Sequence, residues 1–278
     1  MHILALTDIH GNLRIFRALT NFLKNRKFDA LFIAGDLAKV TFEPVGSFRL
    51  NRRTFLYNSL YMKKIIESQK LSLQTVLSEI ADLALPTYLV PGNEDHPDIH
   101  KVLDNWTCKY PAIYNVDNTS YDLGEFVVIG LGGCNYTSSA KTFYEWNERK
   151  AAYRLEQLFK ECNRDNVVLL THSPPLGSNL DITGSQMHVG SFAIRSIIRK
   201  FKPLVCICGH VHEAPGTEKI GNTVVINPGS LEIPNFPESS TQFSECLVGE
   251  ISINKTVKRC SLHIINSTDF LLFEKIFN

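Results

Sequence analysis

Residues 2–12, "HILALTDIHGN", set a pattern that recurs through this chain. The β-rich run "HILALT" (2–7) leads into a polar turn and then into "LRIFRALTNFLKN" (13–25), whose apolar residues recur at helical spacing. Further β-rich runs, such as "DALFIAGD" (29–36) and "NVVLLTHSPP" (166–175), alternate with predicted helices. This β-α-β order predicts a layered α/β fold, with antiparallel strands towards the end of the chain.

Residues 39–85 are too long for a simple crossover between two strands. The stretches 55–68 and 71–85 both have helical spacing, which predicts an insertion that packs on the sheet or caps a site. Its arginines could reach a polyanionic substrate or form a charged helix face, and its aromatic residues could cover a base or pack in the core. These residues are Arg49, Arg52, Arg53, Phe55, Tyr57 and Tyr61. Because no repeat or flexible linker divides the chain, we expect one domain over 1–278.

Composition excludes several classes of function. A net charge of +1 gives no electrostatic reason to expect a nucleic-acid partner or an anionic membrane surface. The apolar runs fall far short of the ~18 residues of a membrane span, and "MHILALTDIH" lacks the apolar core of a secretory signal. Seven Cys without CxxC pairs predict reduced thiols and a cytoplasmic protein. The apolar tail 267–278 could pack on the domain or on a second subunit, as in a homo-oligomer.

Metal-binding side chains follow five predicted strands, 3–7, 31–34, 87–90, 167–171 and 204–208. Ligands of open α/β sheets bind outside the carboxyl ends of the strands, so we expect these side chains to converge. Taken singly, each could be a helix cap, a turn residue or a core group. Together they would be costly to bury unless cations neutralised them. They are Asp8, His10, Asp36, Asn93, His172, His210 and His212.

The order of these residues resembles the signature of the calcineurin-like metallophosphoesterase superfamily, over residues 3–231. "SPPLG" (173–177) and "MHVGS" (187–191) resemble its Icc-related branch. The resemblance implies a β-sandwich flanked by helices and two divalent metal ions, drawn from Mn, Fe, Zn, Ni and Mg. The motifs that carry it are "DIH" (8–10), "GD" (35–36), "GN" (92–93), "TH" (171–172) and "GHVH" (209–212).

The resemblance also implies a role for each residue. The first ion would be bound by Asp8, His10, Asp36 and His212. The second would be bound by Asp36 as bridging ligand, Asn93, His172 and His210. The implied reaction is hydrolysis of a phosphoester by a bridging hydroxide that the two ions activate, with Asp36, Asn93 and His172 in the catalytic set. The preferred interpretation is a phosphodiesterase acting on a small or nucleotide-like substrate.

Two other interpretations stay open. The same fold could serve as a non-catalytic protein-interaction module, because at least one relative is a subunit of a trafficking coat. A phosphomonoesterase or protein phosphatase is the other. This chain has all seven metal-binding residues of the family pattern, which favours an enzyme because a scaffold has no need of them.

The stretch "PGNED" (91–95) departs from the family pattern. Many relatives have His where this chain has Glu94, and that His is held to assist the leaving group or to bind phosphate. An ionised Glu94 would donate no proton and would repel phosphate, so we expect a preference for good leaving groups. His96 and His188 could replace the missing acid or could be exposed loop residues. Asp95 could orient a ligand His or cap the helix that starts near Pro97.

Overall fold

The computed structural model describes residues 1–40, 59–136, 142–230, 246–265 and 270–276. Their helices follow strands along the chain, as the sequence predicts. In chain order the described helices are α1 (Arg14–Leu23), α2 (Ser59–Asp82), α3 (Pro97–Lys109), α4 (Glu148–Cys162) and α5 (Phe192–Phe201).

The first sheet has seven strands. Their order across the sheet is β15 (Phe270–Ile276), β14 (Thr256–Ile265), β13 (Cys246–Asn254), β1 (His2–Leu6), β2 (Ala30–Ile33), β3 (Thr87–Leu89) and β4 (Ile113–Asn115). The four strands from β1 to β4 are parallel to one another. Strands β13, β14 and β15 are antiparallel additions beside β1, which confirms the predicted antiparallel end of the chain.

The second sheet has six strands. Their order is β11 (Gly216–Ile220), β12 (Thr223–Asn227), β10 (Val205–Ile207), β9 (Val167–Thr171), β6 (Val127–Leu131) and β5 (Ser120–Asp122). The four central strands are parallel, and the two edge strands are antiparallel to their neighbours. A separate ribbon pairs β7 (Cys134–Asn135) with β8 (Glu145–Trp146).

Three hydrophobic clusters place the sheets and helices in layers. Ile3 of the first sheet and Val168 of the second belong to one core between the sheets. Leu4 faces the other way and packs with residues of α1, α2 and α3, while Leu169 packs with residues of α4 and α5. Successive strand residues point to opposite faces, so each sheet is covered on both sides. This arrangement confirms the predicted β-sandwich flanked by helices.

The insertion is built differently from the prediction of two separate helices. Helix α2 joins residues 59–68 of the first predicted stretch to residues 71–82 of the second without a break, because no Gly or Pro interrupts residues 59–82. Its buried Gln69 donates from Nε2 to the Glu94 carbonyl (2.7 Å) and accepts at Oε1 from the His96 N–H (3.0 Å). The insertion therefore packs against the loop after β3. The arginines that could reach a substrate or form a charged helix face lie outside the described residues, as do Phe55, Tyr57 and the side chain of Tyr61.

Two further features concern membrane spans and the cysteine side chains. No helix in the described part of the chain combines the length and apolarity that crossing a bilayer requires. Six cysteines whose side chains are described form no disulfide. They are Cys108, Cys134, Cys162, Cys206, Cys208 and Cys260.

Candidate metal centre

The seven predicted donor residues meet at one edge of the sandwich. The first sheet supplies four of them from the loops after β1, β2 and β3, and the second sheet supplies three from the loops after β9 and β10. Asp8 and His172 are buried beneath a cavity of about 310 Å³, whose wall the other five donor residues help to form. The donor residues in the wall are His10, Asp36, Asn93, His210 and His212.

Asp8, His10 and His212 form the first group of potential ligand atoms, all within 4.8 Å of one another. His212 Nε2 lies 3.1 Å from Asp8 Oδ1, and His10 Nε2 lies 3.9 Å from the same oxygen. The two Nε2 atoms are 3.4 Å apart. Three donor atoms thus face a common point from two loops, the one after β1 and the one after β10.

The second group contains Asp8, Asp36 and His172. Asp36 Oδ2 lies 3.5 Å from His172 Nε2 and 3.8 Å from His10 Nε2, so this carboxylate lies between the two groups. The Asn93 side-chain oxygen is 2.7 Å from His172 Nε2. The His210 ring lies 5.1 Å from the His172 ring, centroid to centroid.

Four donor residues have backbone conformations that L-amino acids rarely adopt. The φ angle is +52° at Asp8, +47° at His10, +49° at Asp36 and +71° at His210. Each such conformation costs of order 1 kcal/mol or more and persists only where surrounding contacts enforce it. Their concentration at one edge of the sandwich indicates a functional site.

Two glycines permit the close approach of these loops. A Cβ at Gly92 would collide with the Asp36 carboxylate. Gly35 has φ +99°, and a Cβ there would lie 2.5 Å from His172 Nδ1. Larger residues at either position would push the donor atoms apart.

Asp95 supports the site in a way that the sequence did not predict. Its buried carboxylate accepts from the N–H groups of Leu37 (3.1 and 3.0 Å), Ala38 (3.0 Å) and Gly92 (2.7 Å). It therefore neither caps α3 nor contacts a ligand His in the described structure, and both predicted roles are wrong. The cap is His96, whose Nδ1 accepts from the Asp98 N–H (3.1 Å).

Burial and crowding dominate the electrostatics of the site. Burial raises the pKa of Asp36 well above its ordinary value, and the charges of Asp8, Asp95 and Glu94 add to this effect. Burial also opposes ionisation of Asp8, but the hydrogen bond with His212 and the neighbouring imidazoles keep its pKa below the ordinary range. Asp8 and Asp36 lie so close that ionising both carboxylates is unfavourable unless a cation neutralises part of their charge.

Burial disfavours the charged form of two of the imidazoles. Burial lowers the pKa of His172, and it lowers the pKa of His210 to about 3. His172 Nδ1 donates to the Ala34 carbonyl (2.7 Å), which leaves a lone pair on Nε2 directed at the Asn93 oxygen, as that amide is assigned. Two acceptor atoms facing each other are typical of metal ligands. The mixture of imidazole, carboxylate and amide donors fits divalent transition metals better than Ca²⁺.

Glu94 and the two histidines considered as replacement acids lie in different places. Glu94 lines the cavity, and its N–H donates to Asp36 Oδ1 (2.8 Å). His188 is outside the set of residues that line the cavity, and its Nδ1 is 2.6 Å from Oδ1 of the buried Asp181. His96 also lies outside that set and is occupied as a helix cap. The geometry thus places neither histidine at the cavity wall.

Several residues of the cavity wall were missed by sequence reasoning. Cys134 and Thr142 belong to the ribbon region, and Thr183 and Val189 belong to the loop before α5. Cys134, Thr142 and Thr183 belong to no motif and reach the cavity only through the packing of the fold. Two positions offered a usable signal, because Val189 lies within "MHVGS" (187–191) and Glu213 directly follows "GHVH" (209–212).

Comparison with known proteins agrees with this architecture. The family model for metallophosphoesterases of the calcineurin superfamily matches residues 1–244. The chain therefore belongs to the calcineurin superfamily of metallophosphoesterases, as the sequence motifs predicted. Proteins of this superfamily typically bind divalent metals, and the two groups of potential ligand atoms described above meet that expectation.

Individual relatives extend the comparison. The uncharacterized protein MJ1162 of Methanocaldococcus jannaschii is 29% identical over 235 residues, which are 82% of this chain and 88% of that protein. The structure of TT1561 of Thermus thermophilus has a TM-score of 0.60 at 18% identity, covering 90% of this chain and 93% of its own. A dimetal phosphatase from Danio rerio has a TM-score of 0.60 at 10% identity, covering 98% of both chains. The two structures share the fold.

Proposed function

We propose that this protein is a metal-dependent phosphodiesterase that acts on a small or nucleotide-like substrate. The observation that carries the proposal is the convergence of seven imidazole, carboxylate and amide side chains, from both sheets, around one cavity. Asp8, His10, Asp36 and His212 would hold one divalent ion. Asp36, Asn93, His172 and His210 would hold the second, with Asp36 shared. The ions, when bound, would supply Lewis acidity towards the phosphoryl oxygens and lower the pKa of bound water.

The protein's own residues prepare this site. The Ala34 carbonyl fixes the His172 tautomer by accepting from Nδ1, so Nε2 is free to act as a ligand. Thr7 Oγ1 donates to Asp8 Oδ2 (2.6 Å) and the His210 N–H donates to the same oxygen (3.1 Å), which leaves Asp8 Oδ1 directed at His212. These contacts hold the ligand atoms in place before a metal binds, so binding does not have to overcome the loss of conformational entropy that a flexible loop would suffer.

Glu94 bears on the type of ester. It stands at the cavity wall where the family resemblance leads to the expectation of a His, and a departing alkoxide needs a proton whereas an aryloxide departs without one. A phosphodiester with an aryl or similarly acidic leaving group therefore suits the site better than a simple alkyl monoester.

The proposal is tested on the full chain, stripped of metal with a chelator and reloaded with Mn²⁺. We expect about two ions per chain by elemental analysis and hydrolysis of bis(p-nitrophenyl) phosphate. Asp36→Asn should lower kcat/KM by more than about 100-fold, beyond the 10–100-fold typical of outer partners of metal ligands. Asp165→Asn changes an exposed carboxylate and serves as the control. Metal-loaded protein without turnover on any phosphoester would refute the proposal and favour the interaction module.

A further inference from the structure

The backbone of Asn93 is held by residues at the ends of the β7–β8 ribbon. The Asn93 carbonyl accepts from two consecutive N–H groups directly before β8, those of Phe143 (2.9 Å) and Tyr144 (3.1 Å). Directly before β7, the Gly133 N–H donates to the carbonyl of Pro91 (2.9 Å), two residues before Asn93. The position of the Asn93 side chain therefore depends on where the ribbon lies.

The side chain of Tyr144 anchors the ribbon to the segment between β4 and β5. Its hydroxyl donates to Asp117 Oδ2 (2.8 Å) and accepts from Asn118 Nδ2 (2.9 Å), as that amide is assigned. Asp117 Oδ1 accepts from the Gly132 N–H (2.7 Å), which lies before β7. The Asp117 carboxylate thus binds the ribbon at both of its strands.

The ring of Tyr144 is packed closely. A Cβ placed on Gly133 would lie 2.6 Å from the Tyr144 carbonyl oxygen and 2.9 Å from Cγ of its ring. The ring also meets the His100 ring of α3 edge to face, with centroids 4.9 Å apart. Burial raises the pKa of Tyr144, and the charge of Asp117 adds to this effect, so the hydroxyl keeps the proton that it donates.

We propose that Tyr144 is a positioning residue of the metal centre, which acts through the ribbon on the donor residue Asn93. The inference rests on the proposed metal-dependent function and adds to it a residue that belongs to none of the family motifs. Asn93 would hold only one of the two ions. Loss of the Tyr144 anchor should therefore weaken the binding of one ion and spare the other.

The first experiment is a calorimetric titration of the metal-free full chain with Mn²⁺. Tyr144→Phe removes one oxygen atom and keeps the ring that packs against His100. We expect it to weaken one of the two binding steps about tenfold, at the lower end of the 10–100-fold typical of outer partners of metal ligands. The other step should stay within about twofold. Tyr153→Phe removes a hydroxyl from an exposed ring on α4 and should change neither step.

A double-mutant cycle shows whether Tyr144 acts through Asn93. Asn93→Ala removes the donor atom itself, so adding Tyr144→Phe to this variant should weaken Mn²⁺ binding less than about twofold further. A further tenfold loss would mean that Tyr144 supports the site by another route, and it would overturn the proposal. Asn118→Ala removes the other bond of the hydroxyl and should weaken the same binding step in the native background.

Hydrogen exchange of the metal-free chain tests the anchor without any metal. Tyr144→Phe should speed exchange of the N–H groups at positions 143 and 144 at least about fivefold, because the ribbon then opens more often. Unchanged exchange together with unchanged Mn²⁺ binding would overturn the role of Tyr144. A native chain that binds two ions and hydrolyses no phosphoester would instead refute the proposed function, and the effect of Tyr144 on metal binding would still be measured.

Discussion

Substituting Asp95 by Asn should reveal how strongly the loops of the metal centre are held. The carboxylate accepts from three backbone N–H groups, two in the loop after β2 and one in the loop after β3. In Asp95→Asn one oxygen becomes an NH₂ group, which cannot accept. If the amide keeps the oxygen near Ala38, the Gly92 N–H loses its 2.7 Å acceptor, and the reverse orientation leaves Ala38 without one.

The cost of this change can be worked out from the structure. A buried N–H without a partner costs about 1–3 kcal/mol, and hydrogen bonds to a charged acceptor contribute about 1.5–3 kcal/mol. Asp95 is fully buried, so water does not replace the lost acceptor. We expect Asp95→Asn to lower the free energy of unfolding by about 2–4 kcal/mol, a large part of the ~5–15 kcal/mol of an ordinary protein.

The assay is urea unfolding of the metal-free chain, followed by circular dichroism, with metal affinity measured separately. The Leu37 and Ala38 N–H groups directly follow Asp36, whose φ is +49°, so a weaker hold on them should also reduce metal affinity about 10–100-fold. The exposed Asp165→Asn variant is the control and should change stability by less than about 0.5 kcal/mol. If Asp95→Asn costs no more than the control, the carboxylate does not secure these loops.

Three other perturbations give sharp expectations. Gly92→Ala places a Cβ against the Asp36 carboxylate and should weaken metal binding at least tenfold in a metal titration. The nearby His263, whose Nε2 lies 3.3 Å from Glu250 Oε2, lowers the pKa of Glu250 from 4.5 to about 2 against the opposing effect of burial. Ionised Glu250 therefore contributes up to about 3 kcal/mol to the free energy of unfolding above pH 4.5, and this contribution is lost as the pH falls towards 2. The urea midpoint of the metal-free Glu250→Gln variant should accordingly depend less on pH between 4.5 and 2 than that of the native chain. Glu94→His should narrow the preference for aryl over alkyl phosphoesters in kcat/KM, because a histidine can protonate an alkoxide.

Each of these expectations has its own contrary result. Undiminished metal affinity in Gly92→Ala would mean that the loops separate at little cost. If the urea midpoints of Glu250→Gln and of the native chain fall equally with pH, Glu250 does not contribute to stability against acid. Glu94→Gln removes the charge without adding a donor, so a gain on alkyl esters in that variant equal to the gain in Glu94→His would exclude proton donation as the cause.

The donor residues were predictable because two local rules apply to them. Alternating apolar residues mark the strands, and the carboxyl ends of parallel strands meet at one edge of a sheet. His172 and Asp36 are 136 positions apart in sequence, yet each directly follows the end of its own strand or lies within three residues of it. Position relative to a strand end therefore told more about these side chains than sequence distance did.

The supporting contacts were not predictable from the same rules. Asp95 stands just before Pro97, where a helix-capping carboxylate is ordinary, and nothing nearby shows that its partners lie 57 and 58 residues away. His188 lies in a family-like motif, but only the folded loop shows its bond to Asp181. The Asp95 contacts depend on how loops from two strands pack, and the His188 contact depends on how one long loop folds back on itself. The pattern of a single sequence shows neither.

The hydrogen bond from His172 to the Ala34 carbonyl joins one sheet of the sandwich to the other. The donor residues on either side of this bond follow strands of different sheets, so an ion bound among them would cross-link the two sheets. Its binding free energy would add to the cohesion of the two halves by mass action. Loss of metal would then lower the stability of the whole fold as well as abolish activity. The supply of metal in the cell would therefore affect the lifetime of the protein.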